Sequence, residues 1–253
     1  MIYDLQRANT LKRAAAWLLD AILLCIAATF AAWVLSAALN YDSYVQQLEA
    51  RYVYYETEYG VSRNLTQAEV DAMTPEQLAN LEAASTAIAQ DADAIHAYNM
   101  MIRLVILIVS LSILLATLML EFAVPMLFGH GQTIGKKVFG IAVMRQDGVR
   151  INGVCLFART ILGKFAIETI IPALVGLMLF FGSISKIGWL IVGAIFLIQA
   201  FLLFTTRERF TIHDKIATTV TVDFASQLIF DTYDEMIAYK QKAAAEKAAQ
   251  QSY

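Results

Sequence analysis

Four long apolar segments limit what this chain can fold into. They comprise residues 14–39, 101–128, 161–182 and 187–204. A helix of about 20 apolar residues crosses the roughly 30 Å hydrocarbon layer of a bilayer, and each segment is near that length or longer. In addition, 58% of the residues are hydrophobic and only 16% are charged, which is unusual for a soluble domain. The sequence therefore predicts an all-α membrane protein with four transmembrane helices embedded in the lipid bilayer.

The first apolar segment could also be a cleaved signal peptide, because Ser36-Ala37-Ala38 resembles a cleavage site. The stretch is too long for a signal peptide, however, and it contains Asp20. We therefore expect it to remain in the protein as the first transmembrane helix.

Charged residues are distributed unevenly along the chain. Residues 40–100 contain ten acidic residues against Arg51 and Arg63, a net charge of −8, so the remaining residues carry +5 of the total of −3. Lys and Arg residues that flank membrane spans remain in the cytoplasm. Both termini and the basic segment 129–160 are therefore predicted to be cytoplasmic, and residues 40–100 to lie outside. This topology describes a multi-pass protein of the plasma membrane.

Apolar and aromatic residues recur in the acidic segment with the spacing of a coiled-coil seam. The two series are Tyr41, Tyr44, Leu48, Tyr52, Tyr55 and Tyr59, then Leu78, Leu81, Ser85, Ile88, Ala92, Ile95, Asn99 and Ile102. Gly60 separates them, and Thr74-Pro75-Glu76-Gln77 is a helix start with a capping box. We expect an extracytoplasmic helical hairpin, which is either a spacer or a surface that binds a protein partner or collects cations.

Residues 131–140, "GQTIGKKVFG", resemble a phosphate-binding loop but do not meet its requirements. Gly131 leaves three residues before Gly135 where four are needed, and Lys137 stands where a Ser or Thr should ligate magnesium. Residues 138–144 are strand-like, and an Asp-Gly turn leads to a short return strand at 149–151. Residues 218–222 form another β-branched run, so a small cytoplasmic β element is expected. Lys136 and Lys137 would lie near anionic headgroups.

These features divide the chain into six parts. The parts are the N-terminus with the first span (1–39), the acidic hairpin (40–100), the second span (101–128), a basic loop with a β-hairpin (129–160), the third and fourth spans (161–204), and a C-terminal segment with an Ala-rich tail (205–253). The tail from Tyr239 to Tyr253 is expected to be loosely helical.

Several blocks of the sequence, taken in order, resemble the RDD family of bacterial membrane proteins. The blocks are "LKRAAAWLLDAILL", "GQTIGKKVFGIAVMRQDG", "RTILGKF" and "TIHDKIATTVTV". The family is named for one arginine and two aspartates, which match Arg13, Asp20 and Asp214. The motif loop matches Gly131, Gln132, Thr133, Gly135, Lys136 and Lys137. The resemblance covers all but the hairpin and the tail. It implies a bacterial cell membrane protein, and some members have been linked to sodium–proton antiport.

Three carboxylates lie within the apolar segments, where an ionisable residue is costly and marks a candidate functional site. Asp20, Glu121 and Glu168 each lie about seven residues, or roughly 10 Å, from the cytoplasmic end of their helix. Gln199 on the fourth span is at nearly the same depth. The four spans are thus predicted to place one polar group each in a single layer.

Basic residues near this layer are the expected partners of the carboxylates. Arg13 should point toward the cytoplasm, because helical side chains lean toward the N-terminus, and should meet Asp214 or a lipid phosphate. Asp20 then requires Arg159 or Lys164. Lys164 and Glu168 are four residues apart and are expected to pair on one helical face.

Two interpretations of this layer remain open. In one, the polar groups only fix how the helices pack, and the protein is a non-transporting scaffold that presents the hairpin to a partner. In the other, the carboxylates share a proton or bind sodium, and the protein takes part in monovalent cation and proton transport. Four helices leave little room for a transport path, unless the protein forms a homo-oligomer.

Other functional classes find no support in the sequence. It shows no nucleophile–base pair, no metal-ligand spacing and no nucleic-acid signature, so we expect neither an enzyme nor a cofactor nor a metal site. Cys25 and Cys155 are expected to be reduced thiols, since their spacing suits neither a disulfide framework nor a zinc site.

Overall fold

The computed structural model describes residues 5–182 and 186–251. Its contacts divide the chain into two compact units. The first unit holds the residues up to Ala31 and from Ser112 onward, and the second holds Ala32–Leu111.

Within the described residues, four helices are long and apolar enough to cross a membrane, which confirms the predicted fold class. Span 1 is Thr10–Ala38, span 2 is Ala92–Phe128, span 3 is Gly153–Phe180 and span 4 is Lys186–Thr205. Spans 2 and 3 begin about two turns earlier than the apolar segments, because the residues that precede each segment continue the same helix.

Spans 2 and 3 each contain a π-helical segment. Span 2 consists of Ala92–Thr117 (α), Leu118–Ala123 (π) and Val124–Phe128 (α), and span 3 of Gly153–Phe157 (α), Ala158–Thr169 (π) and Ile170–Phe180 (α). Pro125 cannot donate to the carbonyl of Glu121 four residues earlier. The hydroxyl of Thr160 in span 3 donates to that carbonyl instead, at 3.0 Å. π segments are rare and are often found at functional sites. These two segments therefore indicate a candidate functional site where spans 2 and 3 meet.

A two-stranded antiparallel sheet lies in the first unit and confirms the predicted small β element. Strand β1 (Ile141–Arg145) pairs with strand β2 (Thr219–Asp223), with Val143 opposite Thr221. Side chains of both strands pack with Phe210 into a small apolar core, which contains Ala142, Met144, Val220 and Val222.

Two details of the predicted β element are wrong. Val138 does not begin a strand, because it ends a short helix, Ile134–Val138. The return strand at 149–151 is reduced to two isolated bridges, one between Met144 and Arg150 and one between Val149 and Phe230. The Arg150 amide leaves the ladder because it donates to the carbonyl of Phe230 at 2.8 Å.

Two short helices follow spans 2 and 4, and neither was predicted. The 134–138 helix begins after Thr133, whose hydroxyl accepts a hydrogen bond from the Lys136 amide. The 212–216 helix (Ile212–Ile216) begins after Thr211, which forms a capping box with Asp214. The predicted loop at residues 131–137 is therefore wrong from Ile134 onward. Both helices bring polar side chains back toward the spans.

The second unit contains the predicted helical hairpin. Helix Tyr41–Tyr59 packs against helix Pro75–Gln90, and the short helix Gln67–Asp71 lies between them in sequence. Gly60 ends the first helix with a positive φ of 63°, and Thr74 and Gln77 form the expected capping box. Whether the pair supercoils remains a prediction.

The second helix of the hairpin does not run directly into span 2, as its residue spacing suggested. Asp91 has an extended backbone (ψ 115°) and separates Pro75–Gln90 from Ala92. Its carboxylate accepts the amides of Asp93 and Ala94 at 2.8 and 3.1 Å and pairs with Arg51. Asp91 is thus an N-cap in the middle of the predicted helix.

The C-terminal segment ends in a helix, Tyr233–Gln251. This agrees with the helical tail predicted from Tyr239 onward, of which residues 252–253 lie outside the described residues.

Candidate functional site: a buried polar cluster

Nine ionisable residues of the first unit come together where spans 1 to 3 meet the two short helices. We call them the polar cluster. The cluster consists of Arg13, Asp20, Glu121, Lys136, Arg159, Lys164, Glu168, His213 and Asp214. The three carboxylates predicted to share a layer all belong to it. Asp20 and Glu168, however, have different partners from those expected.

Asp20 binds the start of the 134–138 helix. One carboxylate oxygen accepts the Gly135 amide at 2.7 Å, and the other accepts the hydroxyl of Thr133 at 2.5 Å. The predicted partners, Arg159 and Lys164, are engaged elsewhere. Gly135 is needed for this contact because a Cβ atom at its position would lie 2.3 Å from the Ala16 carbonyl oxygen.

Asp214 is the most deeply buried carboxylate of the polar cluster, with 1% of its surface exposed. Arg159 donates to it and also to the hydroxyl of Thr219. Arg13 lies 3.5 Å from Asp214, which was one of the two partners expected for Arg13. It also donates to the carbonyl of Arg209 at 2.8 Å. Burial alone would raise the pKa of Asp214, but the positive charges of Arg159 and Arg13 hold it well below its usual range.

Glu121 of span 2 pairs with Lys164 of span 3. The predicted pair of Lys164 with Glu168 is not formed. Lys164 bonds to Glu121 of span 2 and Glu168 bonds to His213, so each side chain has a partner outside span 3.

Glu168 instead holds the start of the 212–216 helix. It accepts the His213 amide at 3.1 Å and the His213 Nδ1 at 2.8 Å. Gln199 of span 4 accepts the neighbouring Ile212 amide at 2.9 Å. The two side chains therefore bind free amide groups at the first turn of this helix.

His213 was not predicted as part of the site. The 212–216 helix can approach span 3 closely because residue 163 is a glycine. A Cβ atom at Gly163 would lie 2.5 Å from the Cβ of His213. Burial and the charge of Arg159 lower the pKa of His213 despite the neighbouring Glu168. The imidazole is therefore neutral at neutral pH.

The remaining residues of the predicted motif loop have structural roles. Gly131 has a positive φ of 60° and no room for a side chain beside Val143. Gln132 is buried and donates to the carbonyl of Ile141 at 2.9 Å, which ties the loop to strand β1. Lys137 is exposed and its ammonium lies 3.7 Å from the centre of the Phe128 ring.

Lys136 is the charged residue of this loop that faces the cluster. Its ammonium lies 3.4 Å from the hydroxyl of Thr133, which in turn donates to Asp20. It also lines a cavity of about 10 Å³ together with Glu121, Lys164 and His213, which is close to the smallest volume that holds a water. Burial lowers the pKa of Lys136 to about 8, and the attraction of Glu121 offsets this only in part.

The formal charges of the polar cluster cancel. Four carboxylates, Asp20, Glu121, Glu168 and Asp214, stand against four basic groups, Arg13, Lys136, Arg159 and Lys164, while His213 is neutral. A buried group of charges is stable when it is paired and hydrogen-bonded. One more cation can therefore enter at low cost only if one positive charge leaves.

A family model described as the RDD family matches residues 7–218. The chain belongs to the RDD family. All nine residues of the polar cluster lie within the matched range, as does the hairpin. Arg13, Asp20 and Asp214, which correspond to the letters of the family name, do not form one triad: Arg13 meets Asp214, whereas Asp20 binds the 134–138 helix. Neither the curated proteins nor the solved structures contain a significant match to the chain.

Proposed function

We propose that this RDD-family membrane protein exchanges a proton for a monovalent cation in the polar cluster. The observation that carries the proposal is the balance of four acidic and four basic groups in the polar cluster, which borders a small cavity beside Glu121 and Lys136. In such a site a proton must leave when a cation such as sodium enters, so the exchange is electroneutral. The cation binds beside Glu121 and replaces the positive charge that the departing proton removes.

Lys136 is the proposed proton carrier. Arg13 and Arg159 are both paired with Asp214, and Lys164 is bonded directly to Glu121. Among the described residues, the Thr133 hydroxyl is the only hydrogen-bond partner of the Lys136 ammonium. Its lowered pKa, about 8, allows it to release the proton near neutral pH. Alkaline conditions should therefore favour cation entry.

The test uses purified protein in liposomes that hold a pH-sensitive dye. After a proton gradient is imposed, sodium, potassium or lithium is added outside and the recovery of the dye is followed. Lys136→Arg keeps the positive charge but cannot release a proton at the working pH, so we expect it to fold and lose cation-dependent recovery. Lys136→Met should bind the cation without releasing a proton.

Lys137→Met is the matched control, because Lys137 is adjacent in sequence but exposed and outside the polar cluster. It should exchange as the wild type does. Unchanged exchange in Lys136→Arg, or no recovery in the wild type with any of the three cations, would exclude the proposal. Asp20→Asn is a less specific test, since Asp20 also holds the Gly135 amide and the change would shift the 134–138 helix.

A second candidate function is a scaffold that presents the hairpin to a protein partner. It is favoured by the hairpin surface, where Arg51 and Arg63 are engaged by Asp91, Glu49 and Glu56, so the remaining acids are unopposed. Beside Tyr59 and Glu82 the hairpin also has an open groove of about 530 Å³.

Deletion of residues 44–98 separates the two functions. Exchange in liposomes should survive the deletion if the polar cluster is sufficient, whereas binding of a partner should be lost. The Lys136→Arg variant should give the opposite result in both measurements.

A further inference from the structure

Thr117 of span 2 has a buried and unpaired hydroxyl. Only 2% of the residue is exposed, and the Oγ1 atom has no hydrogen-bond partner among the described residues. Such a group normally costs stability unless it is paired. An unpaired hydroxyl at this position therefore requires an explanation.

Two other helical threonines, Thr29 and Thr57, satisfy their hydroxyls locally. Thr29 donates to the carbonyl of Cys25 and Thr57 to that of Val53, both at 2.8 Å, four residues earlier in the helix. This is the usual arrangement of Thr within a helix. Thr117 departs from it at the last α-helical residue before the π segment of span 2.

Thr117 lies four residues before Glu121. Helical side chains lean toward the N-terminus of their helix, so the carboxylate of Glu121 leans toward the turn that carries Thr117. Both residues are buried, with 2% and 6% of their surfaces exposed. Span 2 thus offers one neutral and one anionic oxygen group within a single turn of helix.

We infer that the hydroxyl of Thr117 and the carboxylate of Glu121 bind the exchanged monovalent cation. This inference rests on the proposed exchange function and names its ligands on span 2. The hydroxyl oxygen supplies a lone pair to the cation, and its hydrogen remains free to donate to the second carboxylate oxygen. Oxygen groups of this kind suit hard cations, so sodium and lithium are the expected ions.

Thr117→Val tests the inference, because it removes the oxygen and nearly preserves the shape. In the liposome assay the cation concentration for half-maximal exchange should rise roughly tenfold, while Thr117→Ser should remain close to the wild type. Thr29→Val, which removes a satisfied hydroxyl from span 1, should change neither value and serves as the matched control.

A second measurement distinguishes ligation from a structural role. Without added cation, Thr117→Val should be at least as thermostable as the wild type, since it removes an unpaired polar group. Added sodium at pH 9 should stabilise the wild type more than Thr117→Val. An unchanged half-maximal concentration in an exchanging protein would overturn this inference alone. A wild type that neither exchanges nor gains stability with sodium would overturn the proposed function as well.

Discussion

At the scale of single residues, Gly135 determines whether the 134–138 helix can reach span 1. The added methyl group of Gly135→Ala would collide with the Ala16 carbonyl oxygen at 2.3 Å and with the Asp20 carboxylate at 2.9 Å. The first obstacle is backbone and cannot move without shifting the span. We expect the substitution to lower the free energy of unfolding by about 3 kcal/mol, the upper end of the usual cost of overpacking.

Two other helical glycines provide the controls for this prediction. A Cβ atom at Gly176 or Gly193 would meet no atom within 4 Å, and alanine favours a helix over glycine by about 1 kcal/mol. Thermal unfolding in detergent should therefore show a large loss of stability for Gly135→Ala and none for Gly176→Ala or Gly193→Ala. An equally small effect at all three sites would mean that Asp20 does not hold the helix in this way.

At the scale of elements, Asp91 joins the hairpin to span 2 by a contact that depends on pH. Burial raises its pKa, but hydrogen bonds from the Ala94 amide, Arg51 and Tyr55 lower it overall to about 2. A carboxylate with a lowered pKa stabilises the fold above its ordinary pKa of about 4, and this contribution is lost as the pH falls toward the folded value.

We therefore expect the hairpin to loosen between about pH 4 and pH 2. Hydrogen exchange measured by mass spectrometry, corrected for the intrinsic rate, should show reduced protection around residues 75–94 over that range. Asp91→Asn should already be less protected at pH 6, because the charge that pairs with Arg51 is gone. Glu82→Gln, an exposed acid of the same hairpin, should match the wild type; equal protection in both variants would contradict the proposed role of Asp91.

Elements also show what could and could not be read from the sequence. The spans were predicted from the length of the apolar segments, the helical hairpin from residue spacing, and the strands from β-branched runs. All three are local patterns of the sequence. The partners of Asp20, Glu121 and Glu168 do not follow from such patterns, because each lies far away along the chain, and a five-residue helix is too short to show periodicity. The Thr211–Asp214 pattern was a usable signal, since a capping box predicts a helix start.

At the scale of the whole molecule, the charge asymmetry still predicts the topology. Cys25→Ala/Cys155→Ala provides a background without native thiols, in which single cysteines are placed at Ser62 in the hairpin and at Ser226 after β2. A membrane-impermeant maleimide should label Ser62→Cys in intact cells, and Ser226→Cys only after the membrane is opened. Labelling of Ser226→Cys in intact cells would reverse the orientation inferred from the basic residues.

The stability of the whole protein should also depend on whether Lys136 is protonated. In the folded state the pKa of Lys136 is lowered to about 8 from 10.5, so between these values the unfolded chain binds more protons. Stability must then rise with pH across this window, by up to about 3 kcal/mol. The rise should be absent in Lys136→Met and present in Lys137→Met when thermal unfolding is compared at pH 7 and pH 10.

Stabilisation of the protein by sodium should also depend on pH, because a ligand that binds only the folded state stabilises that state as its occupancy rises. If a cation enters as Lys136 loses its proton, sodium should raise the melting temperature of the wild type at pH 9 and leave it nearly unchanged at pH 6. At ten times its dissociation constant the gain is about 1.4 kcal/mol, which is measurable as a shift of several degrees. An equal shift at both pH values would show that cation binding and proton release are independent, and the balanced charges of the polar cluster would then serve only to hold the helices together.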